Sequence, residues 1–240
     1  MAAQIPLPLR LDPDLSFERF HPGPNREAVD RLESVARGES RIPVYLHGLK
    51  GSGKTHLLQA TCTRSSQHGL LAMALGMKDL PEASPEILVG LNGLDILCLD
   101  DIQTIAGNIE WEEALFALFN EFTDQGRQLV FGANSPPSLT PFVLEDLRSR
   151  LSSGIVFALH PLSEAECLEV LITQAHARGL EIPEPVAVYL IRRVNRDLCH
   201  LMEHLETLDV ASMAASKRIT IPLVKSVLQF DESGADRSST

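Results

Sequence analysis

Residues 48–55 read Gly-Leu-Lys-Gly-Ser-Gly-Lys-Thr and match the pattern G-x-x-x-x-G-K-[ST]. Glycines in this pattern let consecutive backbone N–H groups face a phosphate, the lysine contacts the β and γ phosphates, and the hydroxyl binds Mg²⁺. An apolar run precedes the motif and a helical pattern follows it, which aims a helix N-terminus at the anion and argues against a plain glycine-rich turn. The candidate nucleotide-binding residues are Gly48, Gly51, Ser52, Gly53, Lys54 and Thr55, with Thr55 also a candidate Mg²⁺ ligand.

Strand-like and helix-like segments alternate on both sides of this motif. Short apolar runs without polar alternation are typical of strands buried on both faces. They occupy residues 43–47, 70–75, 94–99, 129–133 and 155–159. Helical patterns lie at 54–66, 110–123 and 142–149. This alternation predicts an α/β fold, a three-layer base built on a five-stranded parallel sheet.

Beyond Pro161 the pattern is helical only. Ser163 and Glu166 predict a capping box at the start of a helix that Gly179 ends. Further helices are predicted at 184–194, at 197–215 and after Thr220. We therefore divide the chain into an extended N-terminal arm, a base, a small all-α domain and a disordered tail. Their bounds are 1–15, 16–160, 161–230 and 231–240.

Composition restricts the class of protein. The chain has 240 residues and a formal net charge of −11, which disfavours a free-standing, non-specific binder of duplex DNA. It shows neither a secretory leader nor an apolar run of membrane-spanning length, so we expect a cytoplasmic protein with no membrane partner. The four cysteines lack zinc-like spacing, and buried reduced thiols are expected.

Polar residues follow two of the predicted strands. Asp100 and Asp101 come after the run at 94–99, where Asp100 would hold Mg²⁺ and Asp101 would activate a water molecule. Asn134 follows the run at 129–133 and could hold the attacking water or contact the γ-phosphate. Solvated loop acids and a turn asparagine remain the alternatives.

Two further features have open interpretations. Arg148 and Arg150 end a predicted helix, where an arginine finger would fit, although the spacing alone favours an exposed arginine that suits the helix dipole. In the arm, residues 4–9 read Gln-Ile-Pro-Leu-Pro-Leu, a short apolar peptide suited to docking in a partner's groove or an incidental proline-rich tail.

With these motifs in place, the chain resembles the AAA+ initiator clade of the replication initiator DnaA, and within it the Hda family of small regulatory homologues. The resemblance covers residues 4–228. Besides the P-loop, the stretches that carry it lie at 17–25, 99–103, 111–116, 147–151 and 208–222. The P-loop is generic, whereas Asp-Asp-Ile-Gln at 100–103 and Ile-Thr-Ile-Pro at 219–222 are much more specific.

The resemblance implies a P-loop AAA+ base and a small all-α lid that bind ADP or ATP, with Mg²⁺ held by Thr55 and Asp100. It implies that Arg150 is an arginine finger acting in trans and that Asn134 is the sensor-1 residue. It also implies that Gln4, Leu7 and Leu9 form a motif for the DNA polymerase sliding clamp. In the Hda family, the clamp-bound protein triggers hydrolysis of DnaA-bound ATP and leaves inactive DnaA-ADP.

Other implications concern partners. DnaA carries an N-terminal interaction domain and a C-terminal domain for duplex DNA, and we expect neither here. DNA is then reached mainly through the clamp, DnaA is the second partner, and a homo-oligomer is left open.

One position departs from the family pattern. The clade places a sensor-2 arginine where this sequence has Cys199. A thiol cannot stabilise a γ-phosphate as a guanidinium does. Arg196 lies three residues earlier on the same predicted helix face and is a candidate substitute. The sequence therefore predicts little preference for ATP over ADP and weak intrinsic hydrolysis.

Three functions remain in competition. The first is a clamp-dependent regulator that supplies Arg150 to DnaA. The second is a self-contained AAA+ ATPase of the helicase-loader type, which would need no clamp motif. The third is a binding module with a decayed nucleotide site, against which the intact Lys54, Thr55 and Asp100 argue.

Overall fold

The computed structural model describes residues 15–80, 84–91, 93–193, 198–215 and 219–228. The chain divides into two compact units between His160 and Pro161. We call them the α/β unit and the helical unit. No helix in the described ranges is long and apolar enough to cross a membrane.

The α/β unit is built on a parallel sheet of five strands in the order β2-β3-β4-β1-β5. The strands are β1 Val44–His47, β2 Ala72–Gly76, β3 Ile96–Asp100, β4 Gln128–Ala133 and β5 Ile155–Ala158. The helices of this unit are α1 Arg26–Ala36, α2 Lys54–Gln67, α3 Ile109–Asp124 and α4 Glu145–Ser152. Short 3-10 helices cover Phe17–Arg19, Gly23–Asn25, Met77–Asp79, Pro85–Leu91 and Ile102–Ile105. The predicted α/β fold is confirmed.

Successive side chains of a strand point to opposite faces of the sheet, so the apolar strands present apolar side chains on both faces. Helices pack against each of these faces. Leu46 and Val130 pack into one cluster with α1 and α2. Tyr45, Leu97 and Phe131 pack into the other cluster with α3 and α4. The result is the expected three-layer arrangement of helices, sheet and helices.

Two details of the sequence interpretation are wrong. Only the inner strands are buried on both faces, since the edge strand β5 alternates and Val156 is 39% exposed. An edge strand has one neighbour fewer, so its apolar residues do not imply full burial. The fourth helix begins at Glu145 rather than near residue 142, because Phe142 is a buried residue of the preceding loop.

The helical unit consists of α5 Glu164–Ala177, α6 Glu184–Arg193, α7 Leu198–Ala215 and α8 Ile221–Leu228. Its core includes Leu171, Leu190, Leu201, Leu205 and Leu208, each almost fully buried. Leu201, Leu205 and Leu208 recur at helical spacing along α7, so one side of this helix faces the core.

Helix ends in this unit follow the sequence prediction. Ser163 Oγ accepts the Glu166 N–H, and Glu166 Oε2 accepts the Ser163 N–H at 2.8 Å, which completes the capping box. Gly179 follows the end of α5 with a φ of 75°. At α8, Thr220 Oγ1 accepts the N–H of Leu223. The cysteine prediction also holds for Cys62, Cys98 and Cys167, which are buried and free.

The capping box gives a test of stability. We expect Ser163→Ala to lower the free energy of unfolding of the helical unit by about 1 kcal/mol, because the Glu166 N–H loses its acceptor. Thermal unfolding followed by circular dichroism measures the change. Ser226→Ala is the matched control, since Ser226 is exposed and its hydroxyl only donates to the Leu223 carbonyl within α8. Equal effects of the two substitutions would contradict the capping role.

Candidate nucleotide site

The P-loop joins the end of β1 at His47 to the start of α2 at Lys54. Gly51 and Gly53 adopt φ angles of 82° and 90°, which L side chains rarely adopt. A Cβ atom on Gly53 would lie 2.5 Å from Cε2 of Phe20. The loop therefore needs glycine at this position both for its backbone conformation and for the approach of the Phe20 ring.

The loop presents hydrogen-bond donors to an anion. The first N–H groups of α2 have no intrahelical acceptor, and Gly53 provides no side-chain cap. The hydroxyl of Ser52 is buried and, within the described residues, has no hydrogen-bond partner. Donors in this arrangement at a helix N-terminus fit a phosphate group.

Lys54 is a buried cation beside the loop. Its Nζ donates to the carbonyl oxygens of Gly48 at 2.8 Å and Leu49 at 3.0 Å. Burial lowers the pKa of Lys54, and the nearby charges of Asp100 and Asp101 partly offset that shift. The ammonium group is thus held at the loop, where it can bind phosphate oxygens.

Asp100 ends β3 and faces the start of α2. Thr55 Oγ1 donates to Asp100 Oδ2 at 2.5 Å, and the Asp101 N–H donates to Asp100 Oδ1 at 2.9 Å. Burial raises the pKa of Asp100, and the Thr55 hydrogen bond opposes this shift. A Cβ atom on Gly132 would lie 2.4 Å from Asp100 Oδ1, so β4 must carry glycine there for the carboxylate to reach Thr55.

Asp101 and Asn134 are joined through Gln103. Gln103 Nε2 donates to Asp101 Oδ1, while Gln103 Oε1 accepts the Asn134 N–H, both at 3.1 Å. Asp101 has a φ of 53°, an uncommon angle for a residue other than glycine. The two candidate water-positioning residues therefore belong to one hydrogen-bonded group at the ends of β3 and β4.

Lys78 is a site residue that sequence reasoning missed. Its Nζ lies 3.3 Å from Asp101 Oδ2. Lys78 follows β2, and its approach to Asp101 depends on the pairing of β2 with β3. Sequence reasoning did not order the strands, so no local pattern could have revealed this contact.

His47 and Asn25 border the site on the β5 side. Burial lowers the pKa of His47, and the charges of His160 and Lys54 lower it further. Asn25 is buried and forms two hydrogen bonds with the backbone of His160, at 2.8 and 2.9 Å. This pair fixes the end of β5 next to β1, where the P-loop begins.

Arg150 lies near the amino ends of the strands, whereas the P-loop lies at their carboxyl ends. Arg150 is exposed in the last turn of α4, whereas Arg148 forms an ion pair with Glu145 at 2.9 Å. α4 ends just before β5, and Ile155 pairs with Val44 at the amino end of β1. The P-loop follows the carboxyl end of β1, so the structure does not bring Arg150 to this chain's own P-loop.

Several predicted residues lie outside what the structure describes. The proposed clamp-binding residues Gln4, Leu7 and Leu9 and the candidate sensor Arg196 fall in undescribed ranges. Cys199 belongs to α7, but its side chain is likewise not described.

The residues present fit a nucleotide with Mg²⁺. Thr55 and Asp100 offer adjacent oxygen ligands, which Mg²⁺ prefers. The described residues contain no group of three or more His, Cys, Asp or Glu side chains able to hold a metal ion. Phosphate oxygens and water would therefore complete the coordination of the ion, as in other P-loop sites.

Comparison with known proteins agrees with this geometry. Residues 83–158 match the family model described as the bacterial DnaA ATPase domain. Residues 164–228 match the model described as the Hda lid domain. Domain III of the replication initiation protein DnaA from Thermotoga maritima is 27% identical, and the match covers 92% of this chain and 98% of that chain with a TM-score of 0.74. The chain is an AAA+ protein related to DnaA and Hda.

More distant structures share the fold of this DnaA-related AAA+ protein. AMPPCP-bound DnaA from Aquifex aeolicus is 20% identical over 85% of this chain and 68% of that chain, with a TM-score of 0.72. The RuvB Holliday junction branch migration motor from Thermotoga maritima is 21% identical over 95% and 76%, with a TM-score of 0.67. The predicted fold class, an AAA+ base followed by a helical lid, is confirmed.

The buried carboxylate of this DnaA-related site gives a prediction. We expect Asp100→Asn to raise the midpoint of thermal unfolding without nucleotide by about 2–4 °C, because the variant no longer buries a charge. An asparagine can still accept the Asp101 N–H and donate to Thr55 Oγ1. Differential scanning calorimetry measures the shift.

Two controls accompany this measurement. Asp95→Asn removes a less buried carboxylate just before the same strand and should not raise the midpoint. Adding Mg²⁺ and ADP should stabilise the Asp100 variant less than the parent chain, because a candidate Mg²⁺ ligand is lost. A lower midpoint for Asp100→Asn without nucleotide would refute the assigned cost of burying this charge.

Proposed function

We propose that this chain is a negative regulator of replication initiation that binds the sliding clamp and stimulates hydrolysis of DnaA-bound ATP, giving inactive DnaA-ADP. The observation that carries the proposal is the position of Arg150. It is exposed near the amino ends of the strands, whereas the P-loop lies at their carboxyl ends. Because α4 ends at the amino side of the sheet and the P-loop lies at its carboxyl side, an exposed guanidinium there is accessible to a neighbouring ATPase domain. The match of the second unit to the Hda lid supports the regulatory branch of the clade.

In this proposal the chain's own nucleotide site binds ADP or ATP with Mg²⁺. Lys54 and the loop amides would bind the phosphates, and Thr55 and Asp100 would hold the ion, which neutralises phosphate charge when bound. Asp101 and Asn134 would orient a water molecule. Asp101 is already engaged by Lys78 and Gln103, which supports weak intrinsic hydrolysis.

The N-terminal arm is the proposed contact with the clamp. It leads into Ser16, whose carbonyl accepts a 2.7 Å hydrogen bond from His56 Nε2 on α2. Phe17 is buried, and Glu18 forms an ion pair with Arg64 of the same helix. These contacts fix residues 16–18, which directly follow the arm, on the P-loop helix. Gln4, Leu7 and Leu9 of the arm are the residues proposed to contact the clamp.

The charge of the chain supports an indirect route to DNA. A net charge of −11 repels the phosphate backbone, so unaided binding to duplex DNA would be weak and sensitive to salt. A clamp loaded on DNA removes the need for such binding, because the clamp holds the regulator near its DnaA partner.

The alternative is a self-contained ATPase of the helicase-loader type. The complete set of Lys54, Thr55, Asp100 and Asn134 in one site favours this alternative. Such a protein would hydrolyse its own ATP at a useful rate and would not respond to the clamp. The two functions therefore differ in which protein's ATP is consumed.

The test measures hydrolysis of DnaA-bound ATP in the presence of DNA-loaded clamp and this chain. We expect Arg150→Ala to lower the stimulated rate by about 10³-fold or more, since an arginine finger contributes 10³–10⁵ in rate. Gln4→Ala should lower stimulation by weakening clamp binding. Arg148→Ala is the matched control, because Arg148 lies on the same helix but pairs with Glu145.

Retained stimulation in both Gln4→Ala and Arg150→Ala would refute the proposed function. Clamp pull-down with residues 1–12 deleted checks the arm by itself, and unchanged binding would remove its role. Hydrolysis of the chain's own ATP, independent of clamp and DnaA, would favour the helicase-loader alternative.

Nucleotide preference is a separate prediction. Because Cys199 replaces the sensor-2 arginine, we expect the dissociation constants for ATP and ADP to differ by less than about tenfold. Calorimetric titration measures both constants. If Arg196 substitutes, Arg196→Ala should weaken nucleotide binding while Cys199→Ala should not. Tighter binding of ATP by tenfold or more would contradict the prediction.

A further inference from the structure

Glu112 is a fully buried carboxylate in the first turn of α3, with 0% of its surface exposed. Its Oε1 accepts the N–H of Gly107 at 2.7 Å and the N–H of Val143 at 3.1 Å. Its Oε2 accepts the N–H of Leu144 at 2.7 Å. One side chain thus connects the loop before α3 to the two residues that precede α4.

Helix α4 depends on this external acceptor at its N-terminus. Its N-cap residue is Leu144, which has no side-chain oxygen and forms no capping hydrogen bond. Ser, Thr, Asp and Asn are favoured at that position because they accept an N–H group themselves. Here Glu112 accepts backbone N–H groups at the entry to α4 from a neighbouring helix, and its negative charge suits the positive end of the helix dipole.

The same short helix carries Arg150 in its last turn. α4 has eight residues, so a shift or tilt at Leu144 moves its whole length and changes where the guanidinium points. Leu147 and Leu151 pack into the core on one side of α4, and these apolar contacts do not fix the helix along its axis as directional hydrogen bonds do. The position of the helix therefore depends on the bonds made by Glu112.

We propose that Glu112 is the positioning residue for Arg150, holding α4 so that the guanidinium meets the partner's nucleotide. This inference rests on the proposed function of Arg150. Burying an ionised carboxylate is an expensive way to gain stability alone, since apolar side chains of similar volume often stabilise as well or better. Three directional bonds from one residue instead specify where the two chain segments lie.

The experiment compares Glu112→Gln and Glu112→Ala with the parent chain in stimulated hydrolysis of DnaA-bound ATP. Misplacing a catalytic group by about 1 Å can cost about 100-fold, so we expect a loss of about that size for Glu112→Ala. Glu112→Gln keeps one acceptor oxygen and should show a smaller loss, about tenfold. Glu113→Gln is the matched control, because the adjacent Glu113 is exposed, and its activity should stay within about twofold.

A positioning role predicts which quantities change. The maximal stimulated rate should fall, whereas the concentration of chain that gives half-maximal stimulation and the affinity for ADP should stay within about threefold. Hydrogen exchange at Val143 and Leu144 should accelerate in both Glu112 variants. Glu112→Gln and the ADP measurement keep the test informative even where Glu112→Ala unfolds.

Two results would overturn the inference. One is full stimulation in both Glu112 variants. The other is a parallel loss of ADP affinity and maximal rate in Glu112→Gln, which would indicate general unfolding. Arg150→Ala is measured alongside as a reference. If that variant loses stimulation while the Glu112 variants retain it, only the role of Glu112 fails. If Arg150→Ala retains stimulation, the proposed role of Arg150, on which this inference rests, fails, and retained stimulation in Gln4→Ala as well refutes the proposed function.

Discussion

The hydrogen bond between Thr55 and Asp100 is the contact on which the nucleotide site depends. Thr55 lies in the first turn of the helix after β1, Asp100 ends β3, and β4 lies between β1 and β3. The carboxylate must therefore reach across β4, and Gly132 leaves the space for it, since any Cβ there would meet Asp100 Oδ1. The strand order and one absent side chain together bring the two candidate Mg²⁺ ligands within contact.

The site also contains two buried groups of opposite charge, Asp100 and Lys54. Burial raises the pKa of Asp100 and lowers the pKa of Lys54, so each charge is disfavoured by its surroundings. Their opposite charges partly offset this cost, as do the hydrogen bonds from Thr55 and the Asp101 N–H. A site of this kind is prepared for an anion and a divalent cation, which would supply the charge balance that the protein lacks by itself.

The two ends of the sheet separate two chemical roles. The carboxyl ends of β1, β3 and β4 carry the P-loop, the paired acids and Asn134. The chain returns along α4 to the amino end of β5, and Arg150 in the last turn of α4 therefore lies near the amino ends of the strands. An exposed guanidinium there is separated from this chain's own P-loop by the length of the strands, and this placement supports the proposed role of Arg150 toward a partner's nucleotide.

The sequence by itself determined the P-loop, the five strands, most of the helices and the helix ends at Ser163, Gly179 and Thr220, because these depend on local periodicity and on residue types at fixed spacing. It also identified Asp100, Asp101 and Asn134 as residues at strand ends. Only the tertiary structure decided that Lys78 meets Asp101, that Gly132 leaves space for Asp100, and that Glu112 accepts the N–H groups of the two residues before α4. Each of these contacts joins segments far apart in the chain, and the order and register of the strands, which no local pattern encodes, determine which segments meet.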